Sequence, residues 1–396
     1  MPSTRARTVV ALGTAQTLAW ASSYYLPAIL AAPMAAELGL SVPSVFAAFS
    51  AALVVSALLG PHAGQAIDRW GGRPVLTGTS LVFALGLALL GLAQGPIVMV
   101  AGWLLLGVGM GSGLYEGAFA ALVRLEGRDA RRSITGITLF GGFASTVGWP
   151  LSSWVLANFD WRMACFVWAA LHLVIGVPLN ASLPRAHPLV PDPSKPAEPA
   201  APVPMSSAVL LSFVFAATWF ISTAMAAHLP RLMQAAGTTA AAAIVVGTLI
   251  GPAQVAARLF EYGVLSRVHP LLSARLASAL HPLGVAALWI AGPVAAPVFG
   301  ILHGAGNGIL TIAKGTLPLV LFGPAGYGQR QGVLMVPARM AQALAPWVFG
   351  LALDRWGARS LVLSAAISLA ALVALLALRP VHEQPPRGVA ARDAKA

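Results

Sequence analysis

The chain contains 396 residues, of which 58% are hydrophobic and only 9% are Asp, Glu, Lys or Arg, whereas about 25% of the residues in an ordinary soluble domain are charged. This composition excludes a typical soluble enzyme, and the net charge of +12 is not concentrated in a basic patch with interleaved aromatic residues of the kind that binds nucleic acid. The single cysteine, Cys165, excludes a disulfide framework and a cysteine-based metal site.

Twelve long apolar segments follow one another along the chain, and each is long enough to cross a bilayer as an α-helix. We predict membrane spans at 9–35, 43–66, 74–93, 97–121, 134–157, 162–183, 207–229, 239–262, 272–291, 294–317, 332–352 and 360–378. The fold class is therefore predicted to be an all-α polytopic membrane protein, with loops too short to contain a separate catalytic domain.

A proline-rich segment, 184–206, separates the sixth span from the seventh. Its eight prolines prevent a continuous helix and favour a semi-rigid extended linker. We therefore predict an N-terminal six-helix bundle at 1–183, a cytoplasmic linker at 184–206, and a C-terminal six-helix bundle with a short cytoplasmic tail at 207–396.

The two halves carry similar glycine patterns at an offset of about 195 residues. The fourth and tenth spans share this pattern, with glycines at 109, 111 and 113 and at 304, 306 and 308. A parallel six-plus-six repeat places a substrate site between the halves, near the middle of the bilayer.

The positions of the basic residues indicate how the chain is oriented. Outside the spans, seventeen Lys and Arg residues fall on the side that contains both termini and four fall on the other side. The positive-inside rule therefore predicts an inner-membrane protein with both termini in the cytoplasm.

The sequence GQAIDRWGGRP follows the second span and contains Gly64, Asp68, Arg69, Gly71 and Arg73. It resembles the loop between spans two and three of the major facilitator superfamily, G-x-x-x-D-R-x-G-[RK]-[RK]. The glycine allows close helix approach, the Asp suits a helix N-terminus, and the Arg residues suit acids or lipid phosphates. The resemblance implies a twelve-helix transporter in which these five residues form a cytoplasmic latch that holds an outward-facing state. The alternative is a polar turn with flanking charges.

Two cations, Arg258 and Arg339, lie deep inside the eighth and eleventh predicted spans, where a charge costs about 2.5–3.5 kcal/mol on insertion scales. Two deep cations with little acid nearby indicate an anionic substrate, because a guanidinium group binds a carboxylate bidentately. Arg258 has an alternative partner in Glu261, three residues further along the same helix face.

The stretch from Arg258 through Gly263 to Arg267 resembles two branches of the superfamily, the oxalate:formate antiporter and the monocarboxylate transporters. These branches carry a substrate-binding Arg in the eighth span, and the oxalate:formate antiporter adds a second cation in the eleventh. The resemblance implies that Arg258 and Arg339 bind a mono- or dicarboxylate.

Glu116 and Lys314 lie in the fourth and tenth spans, which correspond in the repeat. Burial disfavours the charged form of a carboxyl group, so Glu116 is a candidate proton carrier with Lys314 as its coupling partner. A permanent salt bridge between these two residues is the alternative.

Four further residues are candidates for substrate contact. His303 and Asn307 lie one turn apart on the tenth span, and Tyr24 and Tyr25 lie on the first. Tyrosine rings can seal a cavity while their hydroxyl groups orient a substrate. A structural role in hydrogen bonding or core packing is the alternative for both pairs.

No phosphate-binding loop, H-E-x-x-H helix or G-x-S-x-G elbow occurs in the sequence. We therefore expect no enzyme activity, no catalytic or metal site and no cofactor. The function predicted is secondary active transport of a small organic anion by a monomer in contact with membrane lipids, coupled to protons or to a counter-substrate. The alternatives are a proton-coupled exporter of hydrophobic or cationic compounds and a membrane scaffold or sensor that transports nothing.

Overall fold

The computed structural model describes residues 4–186 and 204–378, and within these ranges every regular element is helical. Most of the predicted linker (187–203) and the C-terminal tail from residue 379 lie outside the described residues. The domain boundaries at 184 and 206 stay predictions.

The N-terminal half contains the first six spans, four of which consist of two α-helices. In chain order they are Thr4–Ser22 with Pro27–Glu37 (span 1), Val42–Trp70 (span 2), Gly72–Gly91 (span 3), Pro96–Gly113 with Tyr115–Glu126 (span 4), Arg131–Gly141 with Ala144–Asn158 (span 5), and Trp161–Leu171 with Val177–Ala181 (span 6). The two helices of span 6 are joined by a π-helical turn.

The C-terminal half contains six spans that are each a single α-helix. They are Met205–Ala235 (span 7), Ala240–Gly263 (span 8), Pro270–Ala291 (span 9), Ala296–Phe322 (span 10), Tyr327–Trp356 (span 11) and Ser360–Ala377 (span 12).

The described residues contain eight helical stretches that are long and apolar enough to cross a membrane. Three of them, 96–158, 270–322 and 327–377, each include two spans, and span 1 is divided into two shorter helices. These features agree with the predicted all-α architecture of twelve spans in two six-helix bundles.

Spans 4 and 5 are interrupted where glycine weakens the helix. Span 4 breaks at Leu114, whose backbone is extended, directly after the glycine-rich run that ends at Gly113. Span 5 breaks at Gly142 and Phe143. Glycine is unfavourable inside helices, and each break releases backbone carbonyl groups. The carbonyl of Gly113, for example, accepts a hydrogen bond of 2.7 Å from the Gln16 side chain.

The two halves pack together mainly at one end of the molecule, which we call the latch side because it contains Asp68. Spans 2 and 11 pack against each other across the halves. The latch-side helix of span 5, Arg131–Gly141, packs on spans 8 and 10, whereas its other helix, Ala144–Asn158, packs on spans 1 and 6 of its own half. The break in span 5 therefore lies beside the other half.

Candidate functional site

Asp68 joins the two halves at the latch side. Its two carboxylate oxygens accept hydrogen bonds of 2.9 Å each from the backbone N–H groups of Gly328 and Gln329. These groups lie in the first turn of span 11, where the helix dipole favours a negative charge. A carboxylate on one half thus caps a helix of the other half.

Gly64 allows this contact to form. A Cβ atom at Gly64 would lie 2.0 Å from the carbonyl oxygen of Gly328, so only glycine fits. Gly71 ends the helix of span 2 with a φ of 85°, which favours glycine. Arg69 is exposed, with its guanidinium 5.9 Å from the Trp70 ring, and Arg73 is partly buried at the start of span 3.

Replacing Asp68 with Asn should weaken the closed latch, because the neutral amide has one oxygen that can accept a hydrogen bond, whereas the two N–H groups need two acceptors. Hydrogen bonds to charged groups contribute about 1.5–3 kcal/mol, so we expect a several-fold or larger rise in the fraction of molecules open at the latch side. Spin-label distances across that side would measure it. Asp129→Asn, at an exposed position, is the control, and equal distances in all three proteins would contradict the prediction.

Glu116 and Arg339 form an ion pair between the halves, with Oε2 of Glu116 2.7 Å from a terminal nitrogen of Arg339. The other terminal nitrogen of Arg339 donates to Oε1 of Gln342 at 3.1 Å. The Arg339 side chain is 3% exposed and that of Glu116 is 14% exposed. The carboxylate of Glu116 is therefore paired with Arg339 and not with Lys314.

Arg258 is buried and also crosses between the halves. One terminal nitrogen donates to the backbone carbonyl of Thr138 at 2.8 Å, next to the break in span 5, and its Nε atom has no hydrogen-bond partner. Glu261 lies 3.3 Å from Arg131 instead. The local pair between Arg258 and Glu261 is therefore absent, because Arg131 of the other half takes the carboxylate.

Lys314 differs from the two arginines. Its side chain is buried, at 5% exposure, and its ammonium lies 3.8 Å from the centre of the Trp219 ring. The guanidinium of Arg339 lies 5.4 Å from the same ring. Among residues 4–186 and 204–378, the ammonium group makes no hydrogen bond or ion pair, and its described contact is with this ring.

Aromatic side chains from both halves surround this region. The indole of Trp20 stacks on that of Trp219, with the ring centres 6.1 Å apart and the planes 12° from parallel. Tyr24 contacts Trp20, Tyr25 and Trp219 edge-on, and its hydroxyl lies 3.4 Å from that of Thr223. The two tyrosines of span 1 thus belong to an aromatic layer at the meeting of the halves.

His303 and Asn307 line a different cavity, inside the C-terminal half between spans 7, 9, 10 and 12. The Nδ1 atoms of His303 and His281 lie 3.0 Å apart, and Nε2 of His281 lies 3.0 Å from the hydroxyl of Ser364. Because that hydroxyl donates to the carbonyl of Leu361, His281 donates from Nε2 and accepts at Nδ1. His303 and Asn307 therefore line the cavity beside His281 and do not belong to the site that contains Arg258 and Arg339.

A small cavity borders the Glu116–Arg339 pair. Its walls come from spans 2, 4 and 11 and consist of Ser56, Ala57, Gly60, Gly111, Glu116, Gly332, Met335 and Arg339. It shares no lining residue with the cavity at His303. The small side chains leave room for water beside the ion pair.

The central region contains buried hydrogen-bond donors without acceptors, and more positive than negative charge. Indole nitrogens of Trp20 and Trp219 and Nε of Arg258 are buried without partners. Arg258, Lys314 and Arg339 together face the partly buried carboxylate of Glu116, since the buried carboxylate of Glu261 is paired with Arg131. Such a site is suited to an anion. The contribution of Trp219 was missed from the sequence, because a ring that faces a cation leaves no local signal.

The sequence is similar to a known protein family and to individual proteins. The sequence profile described as Major Facilitator Superfamily matches residues 12–299. An uncharacterized 38 kDa protein in 23S RNA operon from Thermoproteus tenax is 28% identical over 365 residues, covering 90% of this chain and 92% of that protein. Multidrug resistance protein MdtH from Aeromonas salmonicida is 32% identical over 115 residues, covering 28% of each protein.

Two solved structures have the same fold. The human organic anion transporter MFSD10 (TETRAN) superposes with a TM-score of 0.70 at 18% identity, covering 95% of this chain and 100% of the other. The transporter FucP in the outward conformation superposes with a TM-score of 0.72 at 15% identity, covering 92% of this chain and 97% of the other.

Proposed function

The chain belongs to the major facilitator superfamily of secondary transporters, and we propose that it carries a small organic anion of the mono- or dicarboxylate class. One observation carries this proposal. Where the two halves meet, three buried cations, Arg258, Lys314 and Arg339, are opposed by the partly buried carboxylate of Glu116, while the buried carboxylate of Glu261 is paired with a fourth cation, Arg131.

The cations favour an anion because buried charge is stabilised only by a partner. Arg339 has one charged partner, Glu116, and Arg258 has none and donates to a backbone carbonyl. A substrate carboxylate supplies the missing negative charge and accepts several hydrogen bonds at once. The shared fold of the human organic anion transporter is compatible with this substrate class.

Glu116 supplies a means of coupling to protons. A substrate carboxylate and Glu116 compete for Arg339, so an anion binds Arg339 most readily when Glu116 is protonated. The reverse also holds, since an anion at Arg339 leaves Glu116 without its partner. Binding of the anion and of a proton are therefore mutually favourable. When the protein exchanges substrates in the absence of a proton gradient, a counter-substrate binds the site after the first anion has left it.

The latch side is proposed to be the cytoplasmic side of the inner membrane, where both termini lie and most loop cations are found. The described contacts between the halves then close the cytoplasmic end, which corresponds to an outward-facing state. The structural similarity to FucP in the outward conformation supports this assignment.

Exchange of labelled carboxylates in proteoliposomes tests the proposal. We expect loaded vesicles to exchange one or more mono- or dicarboxylates, and Arg258→Gln to reduce this exchange at least tenfold, because it removes the guanidinium from the site. Arg275→Gln is a matched control. Arg275 also donates to backbone carbonyls, of Leu375 and Leu378, but within the C-terminal half. Absence of exchange for every organic anion would contradict the proposed function.

A proton-coupled exporter of hydrophobic or cationic compounds is a second candidate. The aromatic layer of Trp20, Tyr24 and Trp219 beside the carboxylate of Glu116 favours it, and so does the partial similarity to multidrug resistance protein MdtH. Under this alternative, Glu116→Gln abolishes binding of the cation. Under the anion proposal, the same change leaves substrate binding intact.

A further inference from the structure

Two tryptophans from opposite halves form parallel surfaces at the central site. Trp20 of span 1 and Trp219 of span 7 lie 12° from parallel, and they are 3% and 8% exposed. Each indole nitrogen is buried without a hydrogen-bond partner. A buried N–H without a partner costs about 1–3 kcal/mol, so both groups are suited to an acceptor that a ligand brings.

Lys314 lies against the same pair. Its ammonium is over the ring of Trp219, at 3.8 Å from the ring centre, and has no carboxylate or carbonyl partner among the described residues. Arg339 is paired with Glu116, and Arg258 with the carbonyl of Thr138. Lys314 is therefore the cation of the cluster that is available to a substrate without breaking an existing hydrogen bond.

We propose that the substrate is a planar aromatic monocarboxylate, whose carboxylate binds Lys314 and whose ring packs against the edges of the stacked indoles of Trp20 and Trp219. This inference rests on the proposed function and narrows its substrate class. It gives Lys314 the role of anion ligand, and leaves proton coupling to Glu116.

The surroundings of the tryptophans favour an aromatic ring over an aliphatic chain. Tyr24 and Tyr115 also contact Trp20, with ring centres at 5.4 and 4.9 Å. Aromatic pairs contribute about 0.5–1.5 kcal/mol beyond the burial of their area. The site thus combines one available cation with a wall of rings, which matches one carboxylate joined to one flat ring.

A dicarboxylate fits this arrangement less well. Its second carboxylate needs a second available cation, and both arginines already hold partners in the other half. The first carboxylate binds between Lys314 and Arg339 and displaces Glu116 from Arg339. No available cation is then left for a second carboxylate. Binding of a monocarboxylate also lets Trp20 and Trp219, and hence both halves, contact the same ligand.

Competition against labelled benzoate in proteoliposomes tests the inference. The unlabelled competitors are benzoate, cyclohexanecarboxylate, propionate and succinate. Cyclohexanecarboxylate has the same number of ring carbons and the same charge, but no aromatic face. We expect benzoate to compete about tenfold better than cyclohexanecarboxylate, and succinate to compete more weakly than either.

Two substitutions separate the charge from the rings. Lys314→Gln should weaken all monocarboxylates at least tenfold, whereas Trp219→Leu should weaken benzoate and leave propionate within about twofold. Trp219→Phe, which keeps an aromatic face, should recover most of the affinity for benzoate. Trp347→Leu is the control, because Trp347 is 66% exposed on span 11.

The outcomes distinguish this inference from the function on which it rests. If no carboxylate is transported, the proposed function fails. If carboxylates are transported but benzoate and cyclohexanecarboxylate compete equally, or Trp219→Leu weakens propionate as much as benzoate, the function stands and the aromatic site is wrong.

Discussion

Glu116→Gln is expected to give a transporter that exchanges its anion but no longer accumulates it in response to a proton gradient. In the native protein, the carboxylate of Glu116 holds Arg339 at 2.7 Å, and a substrate has to compete with it. Because protonation of Glu116 removes that competition, a bound proton favours binding of the anion. Glutamine has no negative charge to compete with the anion and no proton to exchange, so the variant should bind the anion tightly whether or not a proton gradient is present.

Two measurements check this result on the same vesicles. Exchange at equal pH inside and outside should persist, and uptake against a concentration gradient, driven by an acidic exterior, should fall at least tenfold. Glu37→Gln is the matched control, because Glu37 is a carboxylate at the opposite end of the molecule, where it pairs with Arg162. If Glu116→Gln abolishes exchange as well, or leaves gradient-driven uptake unchanged, Glu116 is not the coupling group.

The second large effect is expected at Gly64. In Gly64→Ala, the added Cβ would lie 2.0 Å from the carbonyl oxygen and 2.3 Å from the carbonyl carbon of Gly328. Backbone atoms cannot rotate away as a side chain can, so spans 2 and 11 have to separate. The separation removes the hydrogen bonds from Gly328 and Gln329 to Asp68. We expect the latch side to open in most molecules and transport to fall at least tenfold.

Gly60→Ala is the control for this substitution. Gly60 lies one turn from Gly64 on the same face of span 2, but a Cβ atom there would approach Gly332 no closer than 3.9 Å. Spin labels at Trp70 and Val264, which are exposed at the latch side of the two halves, would report the opening as a longer distance in Gly64→Ala only. Equal distances in the two variants would contradict the steric argument.

The twelve spans could be predicted from the sequence because each depends on a local property, the length of an apolar stretch. The bounds were less accurate where a polar segment continues a helix. Asp68 was expected in a loop, but span 2 continues as a helix to Trp70. The interruptions of spans 4 and 5 were not anticipated, because glycine weakens a helix without fixing where it breaks. The interruption of span 1, directly before Pro27, was not anticipated either.

The residues of the central site were easier to predict than their partners. Burial of charge in a long apolar segment identifies Glu116, Arg258 and Arg339 from the sequence alone. Their pairing depends on how two distant halves meet. Sequence spacing offered Glu261 as the alternative partner of Arg258, and the repeat offered Lys314 as the alternative partner of Glu116. In the structure Arg131 and Arg339 supply the ion pairs of these carboxylates across the halves. The position of His303 could not be predicted for a similar reason. Span 10 has two polar faces, and the sequence alone does not tell which of them lies toward the other half.

The three buried cations and one carboxylate also determine how the transporter responds to the membrane potential. In the proposed cycle the empty site has a formal charge of +2, with Glu116 ionised. After one monocarboxylate and one proton have bound, its formal charge is again +2. Transport of the pair is then electroneutral, and the voltage cannot drive accumulation. A negative interior still attracts the two excess charges, by about 2.3 kcal/mol per charge for each 100 mV crossed in full. In an energised cell, the contacts of Asp68 therefore have to hold the latch closed against this inward pull.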